Sequence, residues 1–416
     1  MNPKPGGRGS LLAVFLTVFI DLLGFGIVIP LLPIYTKAYQ ASELSVGLLM
    51  ASFSAMQFLF APFWGRLSDR VGRRPVLIGG LVGTSASYLV FAFADSLGLL
   101  FASRIAAGFF GANVATAQAY IADVTEVQDR AKGMGLVGAA FGLGFTVGPL
   151  VGGELTRFSP AAPGLAAAAL SLAAATFGFF RLPEPARHSA MRHFDASHLR
   201  RALADGRMGV LLLLNFLALF AFSQFEAMFT LFGLAKFPEV FGVPRALETA
   251  TMEQVLAAAP ITGRYLAAIG VVSALIQGGL IRRLVPRFGE VRLIVAGPAF
   301  LALSLALVGL APLLALGEDA GWALVLLGCA FLPVGIGLNN PSLAGLTSRA
   351  APAAEQGSFL GLSQSAASLA RVTGPPVGGA MFYALGPSAP FLASAGVLVL
   401  AAFLAAAYRR RYADTF

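Results

Sequence analysis

The chain has 416 residues, 57% of them hydrophobic and only 12% charged, with a mean hydropathy of +0.79 and a formal net charge of +9. Those proportions exclude a water-soluble globule and define a membrane chain. Cys329 is the single cysteine and lies in an apolar run, so an intrachain disulfide is impossible and neither redox chemistry nor a cysteine-based metal site is indicated.

Crossing a hydrocarbon core about 30 Å thick takes roughly 20 mainly apolar residues as helix, because lipid offers backbone amides no other partner. Apolar runs between charged or Pro/Gly breaks predict six spans near residues 11–34, 45–64, 75–94, 97–121, 134–156 and 163–181. Six more follow near 208–235, 262–281, 291–315, 321–344, 358–382 and 388–407. The short alternating segments of an outer-membrane barrel are absent. The N-terminal MNPKPGGRGS runs straight into the first span without a small-residue cleavage pattern and reads as an anchor.

With twelve spans both termini share one side. That side carries 22 of the 29 Lys and Arg residues, the other side 5, and Arg104 and Arg371 fall within spans. Both termini are therefore expected in the cytoplasm. The positive charge follows from topology, and no soluble basic domain is present that would engage nucleic acid.

Charges inside spans are expensive, roughly 2.5 to 3.5 kcal/mol each at mid-depth, and so are functional candidates. The first span carries Asp21 and the fourth Arg104, at about 15 Å and 19 Å from the same membrane edge, within reach of one another. Asp21 is the candidate to take up and release a proton, with Arg104 modulating it; a fixed structural ion pair is the alternative. The seventh span carries Glu226 near Gln224 and among Phe222, Phe225 and Phe229, aromatic surface that suits an amphipathic organic cation and equally suits packing. Arg371 in the eleventh span stands ready to neutralise Glu226 or an anionic substrate. Asn113, Gln118, Asn215, Gln277, Asn339, Asn340 and Gln364 are polar candidates for the cavity or for interhelical hydrogen bonds.

Between the second and third spans stands GRLSDRVGRRP, residues 65–75. Gly65 and Gly72 are expected to permit a tight reversal, and Asp69 stands among Arg66, Arg70, Arg73 and Arg74 as the one acid that topology does not explain. A weaker echo, GGLIRRLVPRFGEVR at 278–292, has Pro286 in place of the acid.

Residues 148–153 read GPLVGG and residues 374–379 read GPPVGG, 226 residues apart. The same offset superposes Asp129 on Glu355, Gly135 on Gly361 and Leu136 on Leu362, so spans 5 and 11 are equivalent. The expected architecture is an all-α polytopic protein: an N-terminal six-helix bundle at 1–181, a cytoplasmic linker at 182–207 and a pseudo-symmetric six-helix bundle at 208–416. His188, His193 and His198 lie in that linker at a five-residue spacing that does not stack on one helical face, so no metal site is expected. Gly138, Gly142, Gly148 and Gly152 are expected along one side of span 5 where a neighbour approaches closely, and Pro149 is expected to kink it; Gly148, Pro149, Gly374 and Pro375 are gating candidates.

The G-x3-D-x2-G-R-R loop strongly resembles the signature loop of the major facilitator superfamily. Within it the chain resembles the twelve-helix drug:proton antiporters, especially the tetracycline efflux group, through FLTVFIDLLGFGIVIPLLP, SRIAAGFFGA, IADVTEVQDRAKGMG and the span 5 motif, with a looser match in LGLSQSAASLARVTGPPVGG. The resemblance implies a gate in which Asp69 faces the start of span 11 while Asp123 and Arg130 pair with loop arginines such as Arg73. It also pairs Asp21 with Arg104.

Departures bear on substrate. Tyr88 and Leu89 are preceded by Ser87 where tetracycline exporters carry a carboxylate, VVSALIQ has Ser273 where they carry a histidine, and span 9 contains no acid. Metal-chelated tetracycline is thus poorly supported. The expected function is proton-coupled export of hydrophobic or amphipathic small molecules, the proton being the only coupling cofactor. A facilitator or symporter for a sugar, lipid or metabolite is the alternative on the same fold. A membrane enzyme or receptor has no support, for want of an intramembrane histidine, a ligand cluster or a nucleophile with its base. The expected partners are a small hydrophobic substrate and membrane lipids, with no nucleic acid, and the expected setting is a monomer in a bacterial inner membrane.

Overall fold

A computed structural model describes residues 8–111, 113–124, 130–185, 206–244, 251–314, 316–351 and 356–412. Among these residues there is helix and turn but no strand. The three linker histidines lie outside them, as do the side chains of Asn113, Gln118 and Arg130 and the surroundings of Gly138.

The helices in chain order are α1 (Arg8–Val28), α2 (Leu32–Ala38), α3 (Glu43–Val71), α4 (Arg73–Ala92), α5 (Leu97–Phe110), α6 (Asn113–Val124), α7 (Arg130–Leu155) and α8 (Ala162–Arg181). They continue with α9 (Gly206–Lys236), α10 (Met252–Leu256), α11 (Ala258–Leu275), α12 (Ile281–Phe288), α13 (Glu290–Leu310), α14 (Glu318–Ala350), α15 (Gln356–Leu385) and α16 (Ala389–Tyr412). Among the described residues nine helical stretches are long and apolar enough to cross a membrane. The remaining expected spans correspond to α5 with α6, to α7 and to α15.

Several spans are interrupted at proline or glycine. Pro30 and Pro33 turn the end of the first span into a 3-10 step, Ile29–Leu31, before α2. The fourth span breaks at Gly111, whose carbonyl accepts the Gln57 side-chain amide at 2.9 Å. The eighth passes through a π turn at Ile276–Leu280, which contains Gly278 and Gly279. By contrast α7 and α15 stay helical through Pro149 and through Pro375 and Pro376.

The chain separates into two compact units, residues 1–41, 52–191 and 248–270 in one and residues 42–51, 192–247 and 271–416 in the other. Inside the first, α1 packs on α7 and α8, and α4 on α8 and α5. Inside the second, α9 packs on α15 and α16, and α13 on α16 and α14. Span for span, these are the same neighbours. The first unit also holds α10 and most of α11, and the second holds the start of α3.

Candidate functional site

Asp21 sits midway along α1, where it accepts a hydrogen bond from Ser171 of α8 at 3.1 Å. Arg104 of α5 is 2% exposed and lies over the Phe53 ring at 4.5 Å, with Phe25 at 5.9 Å. Its Nε has no hydrogen-bond partner, and among the described residues Asp21 and Arg104 form no salt bridge. The fully buried Tyr88 of α4 interacts electrostatically with both and packs beside Gly24 of α1. Tyr88 is thus a shared neighbour of the carboxylate and the guanidinium, which separation along the chain could not reveal. Gly108 fixes the depth of Arg104, since a side chain there would overlap the Phe53 backbone.

In the second unit Glu226 of α9 and Arg371 of α15 lie within electrostatic reach, and they form no salt bridge among the described residues. The aromatic surround expected of Glu226 divides. Phe222, one turn away, shares its helical face. Phe225 and Phe229 are buried, with their rings tilted against each other at 4.9 Å, Phe225 meeting Phe391 edge-on and Phe229 tilted against Trp322, so they are packing residues in this conformation. Gln224 is also buried, against Gly378, with its Oε1 unpartnered. Asn215 donates to the Ser363 carbonyl at 2.8 Å and its hydroxyl at 2.9 Å, which ties α9 to α15. Asn339 is buried beside Gly297, while Asn340 and Gln364 are exposed.

At the end of α3, Arg73 reaches Asp69 at 2.6 Å and Asp123 at 2.9 Å, with Ser68 Oγ accepting at 2.6 Å. Arg73 thus joins the end of α3 to the end of α6. Gly65 is corrected: it lies inside α3 with open space around it, and the reversal is made by Gly72 alone, at φ +119°. The reason is that Gly65 keeps a helical backbone, whereas Gly72 takes the positive φ that ends the helix after Val71. Glu184, three residues beyond α8, accepts from the backbone amides of Arg73 at 2.6 Å and Arg74 at 3.1 Å. A carboxylate thereby caps a helix whose first two residues are arginines, offsetting their unfavourable position at the positive end of the helix dipole.

A counterpart exists in the second unit. Gly289 turns at φ +75° as Gly72 does, and the next residue, Glu290, pairs with Arg349 at the end of α14. Where the first unit places a base at the start of span 3 and an acid at the end of span 4, the second reverses both signs. Reversal suits the helices: an acid now begins α13 and a base ends α14. Gly345 makes room, because a side chain there would overlap the Glu290 carboxylate. The signal was the alignment of Gly72-Arg73 with Gly289-Glu290, hidden by the change of charge.

The twin GP motifs each serve two neighbours. Gly144, Gly148 and Gly152 of α7 abut the backbone of α1 at Leu22, Gly26 and Ile27. Gly142 faces open space, two residues out of register with that stripe, so it does not belong to the packing side. On another side of α7, Pro149 and Gly153 meet Gly263 and Ala259 of α11. In the second unit Gly374 and Gly378 abut Ser223 and Gln224 of α9, while Pro375 and Gly379 meet Gly47 and Glu43 of α3. Gly47 and Gly263 escaped the sequence reading, since a lone glycine in a span carries no signal until its neighbour is known. Glu154, just beyond the first motif, pairs with Arg264 at 2.6 Å.

A multi-pass all-helical fold with two equivalent sets of helix contacts and membrane-buried charges in each is that of a transporter and not of an enzyme. The family model of the Major Facilitator Superfamily matches residues 14–372 and 287–415, and the chain belongs to that family. It is 34% identical over 385 residues to the class C tetracycline resistance protein of Escherichia coli, covering 91% of this chain and 90% of that protein. It is 29% identical over 414 residues to multidrug resistance protein 2 of Bacillus subtilis (strain 168), covering 95% and 94% respectively. Among solved structures it is similar to the human organic anion transporter MFSD10 (TETRAN), at 27% identity and a TM-score of 0.68, covering 97% of this chain and all of that one.

Proposed function

We propose that this chain exports hydrophobic or amphipathic small molecules from the cell in exchange for protons, by alternating access within a bacterial inner membrane. Asp21 is the coupling carboxylate, and Glu226 is a second proton or substrate contact. Arg104 and Arg371 are the cations that balance them, both termini lie in the cytoplasm, and the chain acts as a monomer without a cofactor beyond the proton. The observation that carries this reading is the environment of Asp21: a carboxylate at mid-span, held by one serine hydroxyl and without a salt bridge among the described residues. A carboxylate so placed is free to exchange its proton as its surroundings change, whereas one locked to a cation is not. The similarity to tetracycline and multidrug resistance proteins supports efflux of drug-like compounds. The glycine contacts of α7 and α15 and the ion pairs around Arg73 are the parts that rearrange as access alternates.

The test is uphill transport in everted vesicles together with proton release from purified protein. A panel of lipophilic cations, neutral drugs and, given the similarity to an organic anion transporter, organic anions is added in weak buffer. Release that disappears in Asp21→Asn establishes the coupling role. Uphill transport unchanged in Asp21→Asn removes it, and flux indifferent to a pH gradient converts the reading to a facilitator.

A further inference from the structure

The two copies of the signature loop use their arginines differently. In the first, Arg73 is taken by Asp69 and Asp123, Arg74 by the Phe179 carbonyl and ring, and Arg66 by the Pro62 carbonyl at 3.2 Å. In the second, Arg282, Arg283, Arg287 and Arg292 are all exposed, and none forms a salt bridge among the described residues. The only acid in that loop, Glu290, is already paired with Arg349. Pro286 stands where the first copy has its acid, so nothing local neutralises the cluster.

The ground beside these arginines is apolar. α12 turns Ile281 inward and its arginines outward, Phe288 is exposed next to Arg287, and α11 exposes Val271, Val272 and Leu275 in a stripe leading to the cluster. A row of exposed aliphatic side chains ending in guanidinium groups that have no acidic partner among the described residues is complementary to acyl chains ending in an anionic phosphate. Arginine's planar fork binds phosphate oxygens in pairs.

We propose that the turn between the eighth and ninth spans is a binding site for anionic phospholipid, with Arg282, Arg283 and Arg287 holding the headgroup and the outer face of α11 receiving an acyl chain. The test is native mass spectrometry of the detergent-purified full chain, titrated with phosphatidylglycerol and with phosphatidylcholine. Arg282→Gln/Arg283→Gln/Arg287→Gln is compared with Arg409→Gln/Arg410→Gln/Arg411→Gln, which removes the same charge at the end of α16. Binding of phosphatidylglycerol is expected to weaken roughly tenfold or more in the first variant and less than about twofold in the second, with phosphatidylcholine unchanged. Equal losses in both variants would reduce the effect to net charge and overturn the site, as would no loss in the first. Displacement of phosphatidylglycerol by millimolar inorganic phosphate would overturn the lipid as the ligand. Should the triple variant fail to fold, Arg283→Gln/Arg287→Gln, one turn apart, carries the same expectation at a smaller fold-change.

Discussion

The carbonyl of Pro375 occupies the space that a side chain at Gly47 would need. Pro149 stands in the same relation to Gly263, and the interval of 216 residues between Gly47 and Gly263 also separates Glu43 from Ala259, which meet Gly379 and Gly153. The repeated GP peptide is therefore one half of a repeated joint. Its other half is a glycine on a different span.

Gly47→Ala and Gly263→Ala should each destabilise this conformation by about 1 to 3 kcal/mol, because backbone meets backbone and neither side can yield. That corresponds to roughly 5- to 150-fold in a conformational equilibrium. Thermal midpoints and transport rates of the purified variants check it. Gly65→Ala is the control, with open space around it and a helical backbone, and should be neutral or slightly stabilising.

The reversed ion pair yields an order of severity. Glu290 is 14% exposed and Arg349 49%, so Arg349→Ala strands a mostly buried carboxylate and should cost about 1 to 3 kcal/mol, more than Glu290→Ala. The charge exchange Glu290→Arg/Arg349→Glu should recover part of the loss in thermal midpoint, although it sets both charges against the helix dipoles. No recovery over the single variants would show that the pair does not act electrostatically.

Glu184→Ala should lower stability by about 1 to 2 kcal/mol through loss of the carboxylate cap on α4, and Glu184→Gln by less, since an amide oxygen still accepts one bond. Added salt should narrow the gap between the parent and Glu184→Gln, because the charge contribution at this exposed end is screened. Thermal midpoints measured at low and high salt decide it.

Arg104→Lys should fold and fail to transport. A lysine keeps the charge but cannot lie flat against Phe53, and its compact ammonium is more strongly hydrated than a guanidinium. Wild-type transport by Arg104→Lys would reduce the role of Arg104 to charge alone.

Sequence by itself determined the spans, the internal repeat and the identity of the buried charges. Lipid forces a helix wherever the chain is apolar for roughly 20 residues, and a charge inside such a run stands out without any neighbour being known. The family resemblance, and not the spacing, pointed to Arg73 with Asp123. Only tertiary structure decided which side of a helix each residue serves. It brought Tyr88 within electrostatic reach of both Asp21 and Arg104, turned Phe225 and Phe229 into packing residues, and exchanged Gly142 for Gly144 on the packing face of α7. It also revealed Gly47, Gly263 and the reversed pair of Glu290 with Arg349. Periodicity fixes a face only when the opposite face meets water, and in a bilayer both faces are apolar, so the choice among them falls to contacts between distant spans.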